Sequence, residues 1–455
     1  MLGAILVGTR VIGLGHSYWH DEIVTIRDFV RVGPSDILAG PGINHELFSL
    51  LIWATSSMTG ESEIVLRLWS ALPFIAGVVV VTAWLHLRFG SMAGIVFLYL
   101  ATASPLLLDI TRQARGYGLA FLAMAVLIVA ALEATRTART RAVVVFCIAG
   151  VLGAWTLPQL GIAFFATGIA LLGERSLRRP VALGLGLSLL AVGAWYAPHV
   201  SEVHTASQVE DGVQIQATWI LTAPIDQVLV PALIWIDGTA LIAGYLWLPV
   251  VLLTAVIMAS SPLARDRRTL LVLASGVVAT TVALWAARAY VVPRYVSFLL
   301  VPLFVLLATG MSAVFARLST RPAVVRTVGS LVVLGLLAGR FASIAPDVLR
   351  LPREANADAA GVIERHGGAT LPVLAYLHNP RDLAFYLGRP VRALDPSDLA
   401  AQVCARRETV AFVTQPFVVR PVEVPCLRRP GVAHYRFRQY TRGREMNVWL
   451  VPPSG

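Results

Sequence analysis

The stretch RTARTRAVVVFCIAGVLGAWTLPQLGIAFFATGIALLGERSLRR, residues 136–179, decides the fold. Arg136, Arg139 and Arg141 stand at one end and Arg175, Arg178 and Arg179 at the other, with two apolar passes between them. A helix needs roughly 20 apolar residues to cross a bilayer core, and Ala142 to Trp155 falls slightly short of that while Ala71 to Leu87 and Leu270 to Ala287 come close to it. Two further arginine clusters follow, Arg265, Arg267 and Arg268, then Arg317, Arg321 and Arg326, and two spans separate each successive pair of clusters. That parity puts all four loops on one face, which the positive-inside rule makes cytoplasmic. The opposite face then holds the segment from His16 to Glu63, the turn near Asp109, the loop from His199 to Asp237, the turn from Arg288 to Arg294 and everything after Ala345.

Composition agrees. Of the 455 residues 57% are hydrophobic and only 14% charged, with mean hydropathy +0.72, which excludes an ordinary soluble fold. The net charge of +11 does not indicate nucleic acid, because the arginines sit in short loops between apolar runs. No lysine occurs, so Schiff-base chemistry and a P-loop lysine are excluded.

Working outward to the ends, Leu2 to Leu14 is short for a span and carries Arg10, so the span is tilted, the bilayer thinned, or the true start lies upstream of Met1. An amphipathic stretch from Glu22 to Ile37, then Gly40-Pro41-Gly42 and an apolar run from Leu47 to Trp53, read as helices lying at the membrane surface. From Pro352 the pattern changes: helices at Glu354 to His366 and Arg381 to Leu387, strands at Val373 to Leu377 and Val410 to Val413, and a terminal strand pair at Ala433 to Phe437 and Val448 to Val451. The expected architecture is a polytopic α-helical membrane protein of about eleven spans over residues 1–345, with a first outer loop at 16–63 and a small extracytoplasmic α/β domain over 346–455. Cys147 lies in an apolar run. Cys404 and Cys426, in an exported tail, either pair in a disulfide or remain reduced, and no zinc-type spacing is present.

Three groups of residues carry possible chemistry on the outer face. Trp19-His20-Asp21-Glu22 places two adjacent carboxylates at the edge of the hydrocarbon, where ionisable groups are costly unless solvated or used. Asp21 fits either a base that takes a proton from an attacking hydroxyl or an N-cap of the following helix. Asp109, Arg112, Arg115 and Tyr117 form the second group; a helical start would put the two arginines on one face as an anion clamp, whereas arginines at an interface also snorkel to headgroups. Arg288, Tyr290, Arg294 and Tyr295 form the third, with Pro293 breaking the helix before the next span. A carboxylate base beside arginines suits transfer from a lipid phosphate to a hydroxyl. The carboxylates and His45 could meet a divalent metal in the outer cleft, but no ligand spacing demands one, and no cofactor is expected. Trp53, Trp69, Trp195, Trp219, Trp235 and Trp247 read as interface anchors; His16 and His20 receive no role.

At these residues the chain resembles the GT-C membrane glycosyltransferases. The carriers are Asp21-Glu22, the Gly60-Glu61-Ser62-Glu63 to Arg67-Leu68 entry into the second span, Arg112-Gln113-Ala114-Arg115-Gly116-Tyr117, and Pro293-Arg294-Tyr295. Within that superfamily it is similar to the branch of protein O-mannosyltransferases and lipid A aminoarabinose transferases. The resemblance implies a polyprenyl-phosphate sugar donor, a glycan, lipid or protein acceptor approaching from the outer side of the plasma membrane, and an inverting displacement. It further implies Asp21 as base with Glu22 assisting, Arg112, Arg115 and Arg294 near the donor phosphate, and Tyr117 and Tyr295 lining the same pocket. Where many relatives have histidine and two prolines, this chain has Asn44-His45-Glu46-Leu47, which makes His45 and Glu46 the acceptor-side residues and leaves the shape of that side open; His45 fits a structural role, hydrogen-bonded to a loop carbonyl, at least as well as a catalytic one. A transporter or flippase of a lipid-linked sugar is the competing reading; it predicts inverted repeats and broken helices at the midplane, and the sequence carries no convincing repeat. A scaffold whose exported domain binds a partner leaves Asp21-Glu22 without a role.

Overall fold

The computed structural model describes residues 2–16, 18–39, 45–197, 256–286, 293–318, 355–377, 380–394, 399–414, 424–438 and 445–453. The chain divides into two compact units: Met1–Val11, Phe29–Glu61 and Val65–Ala345 form the first, and Ile12–Asp28, Ser62–Ile64 and Pro346–Gly455 form the second.

Eleven helices occupy the described residues up to 197: α1 Leu2–Val11, α2 His20–Thr25, α3 Pro34–Ala39, α4 Glu46–Thr59, α5 Glu63–Phe89, α6 Ser91–Ala103, α7 Pro105–Ile110, α8 Tyr117–Thr137, α9 Thr140–Thr156, α10 Pro158–Leu171 and α11 Arg178–Tyr196. Helices Arg267–Ala286 and Leu300–Leu318 follow. Among the described residues, five stretches are long and apolar enough to cross a membrane: Glu63–Phe89, Tyr117–Thr137, Arg178–Tyr196, Arg267–Leu284 and Arg294–Arg317. Four shorter apolar helices, α1, α6, α9 and α10, accompany them. The chain is thus a multi-pass membrane protein. Leu183, Leu187, Leu190 and Ile169 stand exposed on the helix surfaces, where lipid solvates them.

Packing makes α8 the axis of the first unit. Phe121, Met124, Ala125, Leu127, Ile128 and Ala131 are all buried, against Phe74 and Val78 of α5 and helices on other sides. Its first turn meets α5 so closely that the Gly118 N–H donates to Ser70 Oγ at 3.2 Å, and a Cβ on Gly118 would lie 1.9 Å from the Ser70 carbonyl oxygen. Only glycine fits there. Helices α9 and α10 pair the same way: Phe164 occupies the space over Gly150, and Leu160 that over Gly153. Arg10, the anomaly of the first span, is fully buried and serves as a tie, donating to the carbonyls of Ala101 at 3.0 Å and Thr102 at 3.4 Å and lying 4.7 Å over Phe74.

The amphipathic stretch over 22–37 forms three helical pieces. A π-turn at Ile26–Val30 ends α2, and Gly33, at φ +124°, with Pro34 behind it restarts the chain as α3. Gly40-Pro41-Gly42, Asn44, the loop 199–237 and the cluster Arg321 and Arg326 lie outside the described residues.

In the second unit a five-stranded sheet runs in the order β2-β1-β3-β5-β4, with β1 Val373–Tyr376, β2 Arg392–Ala393, β3 Val410–Thr414, β4 Ala433–Arg438 and β5 Glu445–Val451. β1 is parallel to β2 and β3; β5 is antiparallel to β3 and β4. Strand alternation feeds two cores. Val373, Ala375, Ala411 and Val413 pack with Ala359 and Ile363 of helix Asn356–Gly367 and Leu383 of helix Pro380–Leu387. Leu374, Phe412 and Trp449 pack with Val403 and Cys426 on the other side. There Cys404 and Cys426 are joined by a disulfide. The C-terminal sheet read from the sequence is present; β2 is the strand that reading lacked, and it is only two residues long.

Candidate functional site

Asp21 and Glu22 sit in the first turn of α2, in the second unit. The helix is closed by Glu22, whose Oε2 accepts the Trp19 N–H at 3.1 Å, while Trp19 occupies the N-cap position. The alternative of Asp21 as N-cap is therefore corrected: Asp21 lies two positions past the cap, half-buried, and its carbonyl accepts Thr25 Oγ1 at 2.9 Å. Glu22 is fully buried. His20, too weak a signal to assign from the sequence, holds Asp382 of the sheet domain through Nδ1 at 3.0 Å, and the Tyr18 N–H donates to the Tyr386 hydroxyl beside it.

The first unit carries the cationic residues. After α7 the chain does not continue as a helix but turns tightly over Thr111 to Gly116, with the Arg112 N–H on the Asp109 carbonyl at 3.3 Å and the Arg115 N–H on the Gln113 carbonyl at 2.7 Å. Arg112 and Arg115 accordingly do not share a helix face, because Gly116 starts α8 only after both have passed. Arg112 lies within electrostatic reach of Arg10. Arg115, 1% exposed, stacks over Tyr117 at 5.8 Å, and Tyr117 in turn meets the edge of His45 at 4.7 Å. Arg294 lies 5.5 Å over Tyr295 and acts electrostatically on His45 together with Arg115. The structure thus brings Arg115, Tyr117, His45 and Arg294 to one place. Arg288 and Tyr290 lie outside the described residues.

His45 precedes α4 and is 2% exposed. Burial, then the Arg115 and Arg294 guanidiniums, holds its imidazole well below the ordinary histidine range, so the ring is neutral. It hydrogen-bonds the backbone of Thr156, and Nδ1 is buried with no hydrogen-bond partner among the described residues. Gly116 permits this approach: a Cβ there would come within 3.0 Å of that nitrogen.

Glu46 opens α4 and is buried, and its carboxylate accepts the Trp195 indole N–H. Burial pushes the carboxyl up to about 7 despite that hydrogen bond. Trp195 stacks on Trp155 with ring centroids 4.5 Å apart, and Tyr196 donates to the Ala154 carbonyl at 2.7 Å, so α11 is pinned to the end of α9 beside Glu46. Trp195 is thereby a site-wall residue and not simply an interface anchor. Trp155 was missed; its only signal is its place as the last residue of an apolar run. Trp69 holds α5 to α4 through Thr55 Oγ1 at 2.7 Å, and Trp219, Trp235 and Trp247 lie outside the described residues. Among the described residues no group of three or more His, Cys, Asp and Glu side chains is placed to share a metal ion.

No protein-family model matches the chain, and no curated protein sequence does. Solved structures do. ArnT from Cupriavidus metallidurans bound to undecaprenyl phosphate superposes with a TM-score of 0.58 at 14% identity, over 98% of this chain and 97% of that one. The archaeal oligosaccharyltransferase AglB from Archaeoglobus fulgidus, in complex with an inhibitory peptide and a dolichol-phosphate, gives 0.52 at 12% identity over 90% of this chain and 68% of that one. The mycobacterial arabinofuranosyltransferase AftD gives 0.52 at 15% identity, all of this chain matching 41% of that one. These identities speak for architecture alone: the chain shares its fold with these three membrane-protein structures.

Proposed function

We propose that the protein is an inverting glycosyltransferase that moves a mannose- or arabinose-like sugar from a polyprenyl-phosphate donor to a hydroxyl of a glycan, lipid or protein acceptor on the outer face of the plasma membrane. The observation that carries the reading is the meeting of Arg115 and Arg294 at a neutral His45 in the first unit. Two permanent cations beside an imidazole that adds no charge suit a phosphate. Likeness to ArnT bound to undecaprenyl phosphate and to AglB with a dolichol-phosphate supports a polyprenyl-linked donor.

In the proposed step Asp21 accepts the proton of the acceptor hydroxyl as its oxygen bonds to the anomeric carbon. The anomeric carbon–phosphate oxygen bond breaks on the far side, and both electrons leave with the polyprenyl phosphate, where Arg115 and Arg294 stabilise the charge. Glu22, by fixing the first turn of α2, orients Asp21. Tyr117 and Tyr295 wall the phosphate region, Arg112 lies at its edge, and His45 Nδ1, a lone-pair acceptor in the neutral ring, takes a sugar or acceptor hydroxyl. Residues 1–345 would be the catalytic module and 346–455 an outer domain, and the Cys404–Cys426 bond suits an oxidising, extracytoplasmic side.

The test is incubation of membranes carrying the protein with labelled polyprenyl-phosphate hexoses and pentoses, followed by identification of the labelled product. One sugar should move, and Asp21→Asn should lower the rate at least about 100-fold with the protein still folded. Unchanged transfer by Asp21→Asn would remove the mechanism.

A further inference from the structure

Away from the histidine and arginine cluster, the first unit has a groove of about 480 Å³ between α5, α8 and α9, at the end of the bundle where Arg136, Arg139 and Arg141 lie. Its walls are Val80 of α5, Val126, Val129 and Ala130 of α8, and Ala142 and Val145 of α9. Glu133, Arg139 and Arg141 line its rim. The acid does not offset those two arginines, because Glu133 is already held by Arg88 through two contacts of 3.0 Å and by the Trp84 indole at 2.8 Å. Arg139 and Arg141 are exposed and make no ion pair with any described residue. Ala138, at φ +52°, makes the tight reversal from α8 to α9 that brings both arginines to the rim.

The groove has two chemistries in sequence. From Thr137 down to Val126 it descends roughly 16 Å along α8, about the depth of one leaflet of hydrocarbon. Beside it Val144, Val145 and Ile148 of α9 stand exposed, as lipid-facing residues do. A protein segment would leave the rim cations unanswered, and a free phosphate would leave the valine wall uncovered. We propose that the groove holds one anionic glycerophospholipid of the leaflet on the arginine-loop side, its phosphate between Arg139 and Arg141 and one acyl chain along Val126, Val129 and Val145. The site is independent of the sugar-transfer reading.

The experiment is native mass spectrometry of the purified full chain in detergent with equimolar phosphatidylglycerol and phosphatidylcholine of the same acyl chains. Wild type should retain phosphatidylglycerol in preference, by about fivefold for each arginine. Arg139→Gln combined with Arg141→Gln should make the two lipids equal. Ala142→Trp, which fills the groove and leaves both arginines, should lower occupancy by either lipid. The proposal is overturned if the double variant keeps the preference, if the filled groove binds lipid as before, or if millimolar inorganic phosphate displaces the lipid, which would mark a free-phosphate site.

Discussion

Replacing Glu46 by Gln isolates the one carboxyl whose burial at the site has a measurable pH signature. Burial raises it from an ordinary 4.5 to about 7. Between those values the folded protein holds the proton and the unfolded chain has released it, so stability falls as pH rises through that window. Below about pH 4.5 both states are protonated and Glu46→Gln should match wild type. Above pH 7 the folded state keeps a buried carboxylate that the unfolded chain solvates, and at about 1.4 kcal/mol per pH unit the difference amounts to about 3 kcal/mol at most. The amide oxygen of the variant still accepts the Trp195 indole N–H, so the local contact survives the change. The assay is thermal unfolding of both proteins in lipid nanodiscs from pH 4 to pH 9. The curves should coincide at the acid end and separate by several degrees above neutrality, with the variant the more stable. Parallel curves across the range, or a variant less stable at pH 8, would refute the argument that burial controls this carboxyl.

Gly118→Ala should disrupt the α5–α8 contact, since its Cβ would lie 1.9 Å from the Ser70 carbonyl oxygen; the cost is at least the upper end of the ~1–3 kcal/mol of overpacking, read as lost monodispersity and a lower Tm. Cys404→Ser opens a loop of 22 residues and should destabilise the sheet domain by about 3 kcal/mol, and reductant applied to wild type should reproduce the shift. If Arg294 acts on the leaving phosphate, Arg294→Gln lowers kcat more than it raises the donor KM; a rise in KM alone would make it a ground-state anchor.

Much of the architecture was legible because a bilayer makes composition do the work of tertiary structure. The run Ala71 to Leu87 falls inside helix Glu63–Phe89 and Leu270 to Ala286 inside helix Arg267–Ala286, with Ala287 outside the described residues, and the apolar patterning of the C-terminal region gave four of the five strands described there. The failures have local causes. Amphipathicity over 22–37 marks surface helices but not the break at Gly33-Pro34 that divides them. Arg112 and Arg115 satisfied the spacing for one helix face, yet Gly116 delays the helix until Tyr117. Periodicity reports which side of an element is apolar and says nothing of which distant elements meet. Hence Glu46 with Trp195 and Trp155, and His45 with Arg294, had no signature in the sequence although each residue type was visible.

The charge state of the histidine and arginine cluster bears on which stage of a transfer it would favour. A phosphodiester donor carries one negative charge, and the polyprenyl phosphate that leaves carries up to two. His45 is neutral, so the fixed charge acting at this point is that of Arg115 and Arg294. A charged imidazole would bind the donor more tightly in the ground state without matching the change in charge, and uniform binding of that kind does not raise kcat. In the proposed step the Arg115 and Arg294 guanidiniums, over Tyr117 and Tyr295, instead match the charge that appears as the bond to the sugar breaks. Keeping the imidazole neutral is then a requirement of the proposed chemistry, and the same burial that neutralises it leaves Nδ1 as an acceptor for a hydroxyl.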